Sequence, residues 1–227
     1  MLDANNTFFT SDPHFGHDGL YHPTKGMRKT FRNSREGDAH LINQWNSVVP
    51  PGGFVCHVGD FTFGRAGKAD LDFWKEISSQ LNGNIIFVMG NHDDGLKIRD
   101  ILSLPKFVWA GVLRRVTVAD PEGNVRRKNQ PSYQEIVLCH YPMEVWEKKS
   151  YGSWHLHGHM HGTPLNHVGL RMDVGVDTHN FKPYTYAEVK AKMASTKARQ
   201  RLEFRYEGDN KGPLPPTGRE WVVKAKP

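Results

Sequence analysis

The sequence predicts an α/β fold, on three observations. Five short apolar runs read as strands: residues 7–11, 54–59, 85–90, 136–139 and 154–158. Stripes of apolar residues at helical spacing separate the first three runs, giving β-α-β order. A chain of 227 residues fits one domain with its own core, since single cores stay efficient up to roughly 250 residues.

Taken in order, the first strand runs into an Asp12-Pro13-His14 turn. Residues 19–36, rich in Gly, Lys, Arg and Asn and without periodicity, read as a loop bordering the strand ends. Leu41, Ile42, Trp45, Val48 and Val49 then recur at helical spacing, and Pro50-Pro51-Gly52-Gly53 ends that helix. Leu71, Trp74, Ile77 and Leu81 form a second helical stripe, with Gly83 just beyond its end. A short helix is expected over 96–103.

Segments 112–118 and 124–128 flank Asp120-Pro121-Glu122-Gly123, a strong turn signal, and read as a hairpin. Residues 172–177 form another strand candidate. Thr185-Tyr186-Ala187-Glu188 is a capping box that opens a basic helix to about Arg201. A last strand is expected over 202–206, so one domain covers residues 1–206 and residues 207–227 form a loosely held Gly/Pro-rich tail.

No apolar stretch approaches the ~20 residues that a membrane helix needs, and no signal sequence is evident. The expected setting is the cytoplasm, with no membrane contact. Only Cys56 and Cys139 are present, each inside an apolar strand, which suits buried thiols in a reducing compartment better than a disulfide. The net charge of +6 favours an anionic substrate without identifying it. Oligomeric state is not readable.

Each of the five apolar runs ends in metal-ligand residue types. These are Asp12 and His14, Asp60, Asn91 and His92, His140, and His159 and His161. Side chains at strand ends converge on one edge of a sheet, where open α/β folds place their ligands. Two carboxylates, an amide and several imidazoles suit a binuclear transition-metal site better than magnesium alone or a thiolate-held zinc. Asp60 is the candidate bridging ligand, because Gly59 permits close backbone approach at its strand end. Any one of these motifs alone reads more simply as a turn or cap. All five together read as a site.

The ordered motifs Asp12-Pro13-His14, Gly59-Asp60, Gly90-Asn91-His92-Asp93, His140 and Gly158-His159-Met160-His161 resemble those of the calcineurin-like metallophosphoesterase superfamily. The resemblance implies a four-layer α-β-β-α sandwich with mixed sheets. It implies one metal on Asp12, His14, Asp60 and His161, and a second sharing Asp60 and adding Asn91, His140 and His159. It places His92 against the scissile phosphate, as a donor to phosphoryl oxygens or to the leaving group, and makes a metal-bridging hydroxide the nucleophile. Asp93 is expected to hold the His92 imidazole in one tautomer. Manganese is the first expectation for the metals, with iron, zinc, nickel or cobalt also compatible with these donors.

Among the remaining histidines, His17 is a candidate for the pocket lining and, with Asn91, for substrate binding. His155 and His157 alternate with His159 and His161, and are read as exposed or structural groups, with an outer-shell role as the sharper alternative. His57 is expected to be a hydrogen-bonded core residue.

Arg114, Arg115, Arg126, Arg127 and Lys128 on the hairpin, and Lys190, Lys192, Lys197, Arg199 and Arg201 on the last helix, read as solvated charge rather than a nucleic-acid groove. The chain continues Gly59-Asp60-Phe61-Thr62-Phe63-Gly64-Arg65, without the Asp-Arg-Gly of protein phosphatases. It also lacks room for the capping domain of the large repair nucleases. What remains resembles the compact single-domain branch of bacteria and phages. The expected activity is phosphodiester hydrolysis of a small or nucleotide-like substrate. Phosphomonoesterase and nuclease activity are the alternatives, and a noncatalytic scaffold ranks last because no matched ligand is missing.

Overall fold

The computed structural model describes residues 1–63, 70–125, 131–165 and 169–203, with side chains of the last helix described as far as residue 196. In chain order the elements are β1 (Thr7–Thr10), α1 (Ser34–Val48), β2 (Phe54–His57), α2 (Leu71–Gln80), β3 (Asn84–Val88) and α3 (Ile98–Ile101). There follow β4 (Phe107–Gly111), β5 (Leu113–Ala119), β6 (Tyr133–Cys139), β7 (Trp154–His157), β8 (Arg171–Asp173), β9 (Tyr184–Thr185) and α4 (Tyr186–Glu203). The fold is mixed α/β with two mixed sheets.

The first sheet has the order β4-β3-β2-β1-β9, parallel except for β9. The second has the order β5-β6-β7-β8, with β5 antiparallel and the rest parallel. Period-2 alternation gives each strand of the first sheet two different faces. Phe8, Val55, Ile85 and Phe87 pack against Leu41 and Trp45 of α1 and Phe73, Trp74 and Ile77 of α2. Phe9, Cys56, Ile86 and Val88 pack the other way, against Val116, Val118, Ile136, Leu138, Trp154 and Leu156 of the second sheet. Tyr186, Val189 and Met193 of α4 close this inter-sheet core.

Helix α1 starts earlier than its apolar stripe because the Asn33 side chain caps the Glu36 N–H. Its first turns are polar, so periodicity misses them. The Thr185 capping box forms: Thr185 N–H and Oγ1 both donate to Glu188 Oε2, and Glu188 N–H returns to Thr185 Oγ1.

Two expectations are corrected. β5 does not pair with the described part of its expected partner arm, residues 124–125; it pairs with β6, in register from Leu113↔Cys139 to Ala119↔Tyr133. The turn forms as expected, with Gly123 N–H on Asp120 O and Glu122 N–H on Asp120 Oδ1. A bridge between Val125 and Tyr133 then brings the chain to the start of β6. The expected strand over 172–177 stops at Asp173, whose side chain accepts the Gly175 N–H, and a 3-10 turn follows over Val176–Thr178. Arg126, Arg127 and Lys128, the side chains of Lys197, Arg199 and Arg201, and the tail 207–227 lie outside the described residues.

Candidate metal centre

The five candidate clusters follow the C-terminal ends of β1, β2, β3, β6 and β7. The two sheets are joined at this edge by a bridge between Ser11, just after β1, and Gly175, just after β8, while Ser11 Oγ donates to Val58 O beyond the neighbouring strand β2. Asp12, His14, Asp60, His159 and His161 all have positive φ, between 47° and 70°. A non-glycine residue avoids that region unless its surroundings hold it there, and such residues concentrate at functional sites.

Glycines make the close approach sterically feasible. Gly59 has φ 99°, and a Cβ there would lie 2.6 Å from His140 Nδ1. A Cβ on Gly90 would collide with the Asp60 carboxylate.

Side-chain donors meet in two adjoining groups. His14 Nε2 lies 3.2 Å from His161 Nε2, and each lies 3.9 Å from Asp12 Oδ1. Asn91 Oδ1 lies 3.0 Å from both His140 Nε2 and His159 Nδ1. Between the groups, Asp60 Oδ2 sits 3.5 Å from His14 Nε2 and 3.4 Å from His140 Nε2, while Asp60 Oδ1 accepts the His92 N–H at 2.9 Å. Three overlapping sets, Asp12-His14-His161, His14-Asp60-His92 and Asp12-Asp60-His140, have donor atoms within 4.8 Å of one another, close enough to hold metal ions.

Protonation follows from this crowding. Burial pushes Asp12 up to about 7 and His14 down to about 2. Burial also opposes charge on His140 and Asp60, but their mutual attraction wins: His140 rises to about 9 and Asp60 falls to about 2. Both shifts run in the direction that favours an ion pair between His140 and Asp60.

Groups behind the donors orient them. Asp177 Oδ2 lies 2.7 Å from His161 Nδ1, which turns His161 Nε2 towards Asp12 and His14. Asp177 is held in turn by Arg28, whose Nε and Nη2 donate to its two oxygens at 2.8 and 2.9 Å. Arg28, only 2% exposed, also donates to the Pro13 and Asp12 carbonyls at 2.6 and 2.7 Å, and so fixes the strand-end turn itself. His140 Nδ1 lies 2.8 Å from Val58 O, which fixes that ring too.

The tautomer role expected for Asp93 is corrected. Its oxygens accept the N–H groups of Gly90, Asp60 and Phe61 at 2.7 to 3.0 Å, and among the described residues it has no hydrogen bond to the His92 ring. A buried carboxylate is best stabilised by convergent backbone donors, and these three tie the β2 and β3 loops together.

His92 is exposed, with its ring 5.1 Å from that of His14. His17 lies 5.7 Å from His14 and stacks on Phe63 at 3.6 Å, so it does border the donors. His155 and His157 are buried on the face of β7 away from the inter-sheet core. His155 is held by Val137 O and the Met143 N–H, and His157 Nδ1 by Gly158 O. His57 is half satisfied: Nδ1 accepts the Gly59 N–H, while Nε2 is buried with no hydrogen-bond partner among the described residues. The role of Arg28 went unsignalled in the sequence because it lies in the aperiodic 19–36 segment and acts on Asp177, far along the chain, while Asp177 was read only as the end of the 172–177 strand candidate and not as a partner of His161.

No family model matches the chain. It is 27% identical over 190 residues to the uncharacterized protein MJ1445 of Methanocaldococcus jannaschii, covering 80% of this chain and 88% of that one. It is 28% identical over 187 residues to the Gene 66 protein of Mycobacterium phage L5, covering 76% and 87%. A likeness to Pseudomonas putida nuclease MPE, with a TM-score of 0.37, is too low to bear on fold or chemistry. Among solved structures, the chain is similar to the protein of unknown function AQ665 from Aquifex aeolicus, with a TM-score of 0.52, 20% identity and coverage of 82% of this chain and 98% of that one, a likeness of fold alone.

Proposed function

We propose that the chain is a binuclear metal-dependent phosphodiesterase of the calcineurin-like metallophosphoesterase type, in its compact single-domain branch, acting on a small or nucleotide-like substrate. The observation that carries the reading is Asp60 Oδ2 standing between two donor groups, 3.5 Å from His14 Nε2 and 3.4 Å from His140 Nε2. One carboxylate shared by two imidazole-rich groups is the arrangement that two adjacent cations require.

The donors fit such ions. All are nitrogen or oxygen, and two imidazole nitrogens 3.2 Å apart at His14 and His161 need a cation or a proton between them. Asp12, His14, His161 and Asp60 would hold one ion; Asn91, His140, His159 and Asp60 would hold the other. The ions would supply Lewis acidity and a water activated near neutral pH.

The remaining work falls to side chains. Asp177 and Arg28 keep His161 in one tautomer. Asp93 fixes the loops that carry Asp60 and Asn91. His92, held at its backbone by Asp60 and exposed at its ring, can donate a proton to a phosphoryl oxygen or to the departing oxygen. Of the hairpin's basic residues, the two described arginines are engaged: Arg115 pairs with Glu147 and Arg114 lies 4.7 Å over Trp109, which leaves less free charge on β5 for a nucleic-acid backbone.

The test is hydrolysis of bis-p-nitrophenyl phosphate beside p-nitrophenyl phosphate, with metal-stripped protein and manganese, nickel, zinc or magnesium restored separately. Diester cleavage restored by a transition metal is expected. Cleavage of the monoester alone would make the chain a phosphomonoesterase, and silence on both would overturn the hydrolase reading.

A further inference from the structure

Two aromatic surfaces border the donor groups, one on each side. Tyr141 directly follows His140. Its ring lies 5.2 Å from that of His140 and 4.9 Å from that of His159, both steeply inclined, and the residue is 49% exposed. On the other side the His17 ring is stacked on Phe63 with planes 5° apart, and Phe63 lies 5.2 Å from His92. The order along the site is therefore Tyr141, His159 and His140, then Asp60, then His14, then His92 with the Phe63–His17 stack.

An exposed tyrosine beside two donors has no evident packing duty, since neither core cluster includes it. Val112 and Leu113 at the start of β5 are also exposed, and Leu113 pairs in register with Cys139, two residues before Tyr141. A phosphomonoester has one organic arm and would leave one of the two aromatic surfaces unused. A phosphodiester has two.

We propose that Tyr141 is the specificity residue for the non-leaving arm of a phosphodiester and stacks on a nucleobase or similar ring there, while the leaving arm lies towards Phe63, His17 and His92. The inference rests on the hydrolase reading given above. The assignment of arms follows from His92, which stands on the Phe63 side and is the group able to give a proton to the departing oxygen. In the reaction a water oxygen bonds to phosphorus, the P–O bond to the leaving arm breaks, and that oxygen leaves as the protonated alcohol. The arm on Tyr141 stays on the phosphate. Stacking on an aromatic side chain is tolerant of base identity, so the substrate class is a nucleoside phosphodiester without a fixed base.

Two esters with the same leaving group test this: thymidine 5′-(p-nitrophenyl phosphate) and methyl p-nitrophenyl phosphate. The wild type should prefer the thymidine ester in kcat/KM by a factor on the order of ten. Tyr141→Leu should bring the ratio near one, and Tyr141→Phe should keep it. Hydrolysis of both esters with no preference, or a preference unchanged in Tyr141→Leu, would overturn the stacking role and leave the hydrolase reading standing. Hydrolysis of neither, under any restored metal, would remove both.

Discussion

Asp177 Oδ2 lies 2.7 Å from His161 Nδ1, and the same carboxylate takes both a 2.8 Å and a 2.9 Å hydrogen bond from Arg28. Burial would raise the Asp177 pKa, but these partners together hold it far below the usual range. His161 is thus aimed by a charge network that reaches back to the carbonyls of Asp12 and Pro13.

Asp177→Asn should therefore weaken metal binding by roughly 10- to 100-fold, the usual cost of removing the partner that orients a ligating imidazole. A competition titration against a coloured chelator measures it. Unchanged affinity would detach Asp177 from the site.

His92→Ala should lower diester turnover by about 100-fold or more while leaving metal content close to that of the wild type. The imidazole is exposed, and its backbone N–H, which the substitution keeps, is what contacts Asp60. Elemental analysis beside kcat separates the two effects; equal loss of metal and turnover would make His92 a ligand.

Gly90→Ala should disturb the centre through sterics. The new methyl would overlap the Asp60 carboxylate, and that residue would have to turn away. Overpacking of this kind costs about 1–3 kcal/mol. Thermal unfolding should show a modest loss for the metal-free protein, and metal content should fall. A variant that binds metal normally would contradict the close packing of Gly90 on Asp60.

Asp120 supplies an acid-side stability effect remote from the metal centre. Burial would raise its pKa, but hydrogen bonds from Lys190, Tyr186 and the Glu122 N–H outweigh this and lower it. A folded pKa below the unfolded value of about 3.9 contributes stability that is present above the unfolded value and lost as pH falls through the folded one. Asp120→Asn should lower the Tm at neutral pH and flatten its decline below about pH 4. Parallel Tm curves for variant and wild type would rule the contribution out.

The sequence made the donors legible because each stands immediately after an apolar run, and parallel strands bring such ends to one edge. Helices α1 and α2 were legible in their apolar stripes, and α4 in its capping box. Arg28 was not legible: one of three arginines in the aperiodic 19–36 segment, it gains its meaning from Asp177, 149 residues away. The partner of β5 was missed because the Asp120 turn is strong locally, and turn chemistry says nothing about which later strand completes the ladder. For Asp93, adjacency to His92 suggested contact, but the three backbone amides around it offer more hydrogen bonds than one ring could.

If Asp60 joins two cation sites, the number of ions bound per chain reveals it. Purified wild-type protein loaded with manganese and cleared of excess should carry about two ions per chain, and Asp60→Asn fewer than about one. One ion per wild-type chain, or two retained in Asp60→Asn, would mean that Asp60 does not bridge two cations.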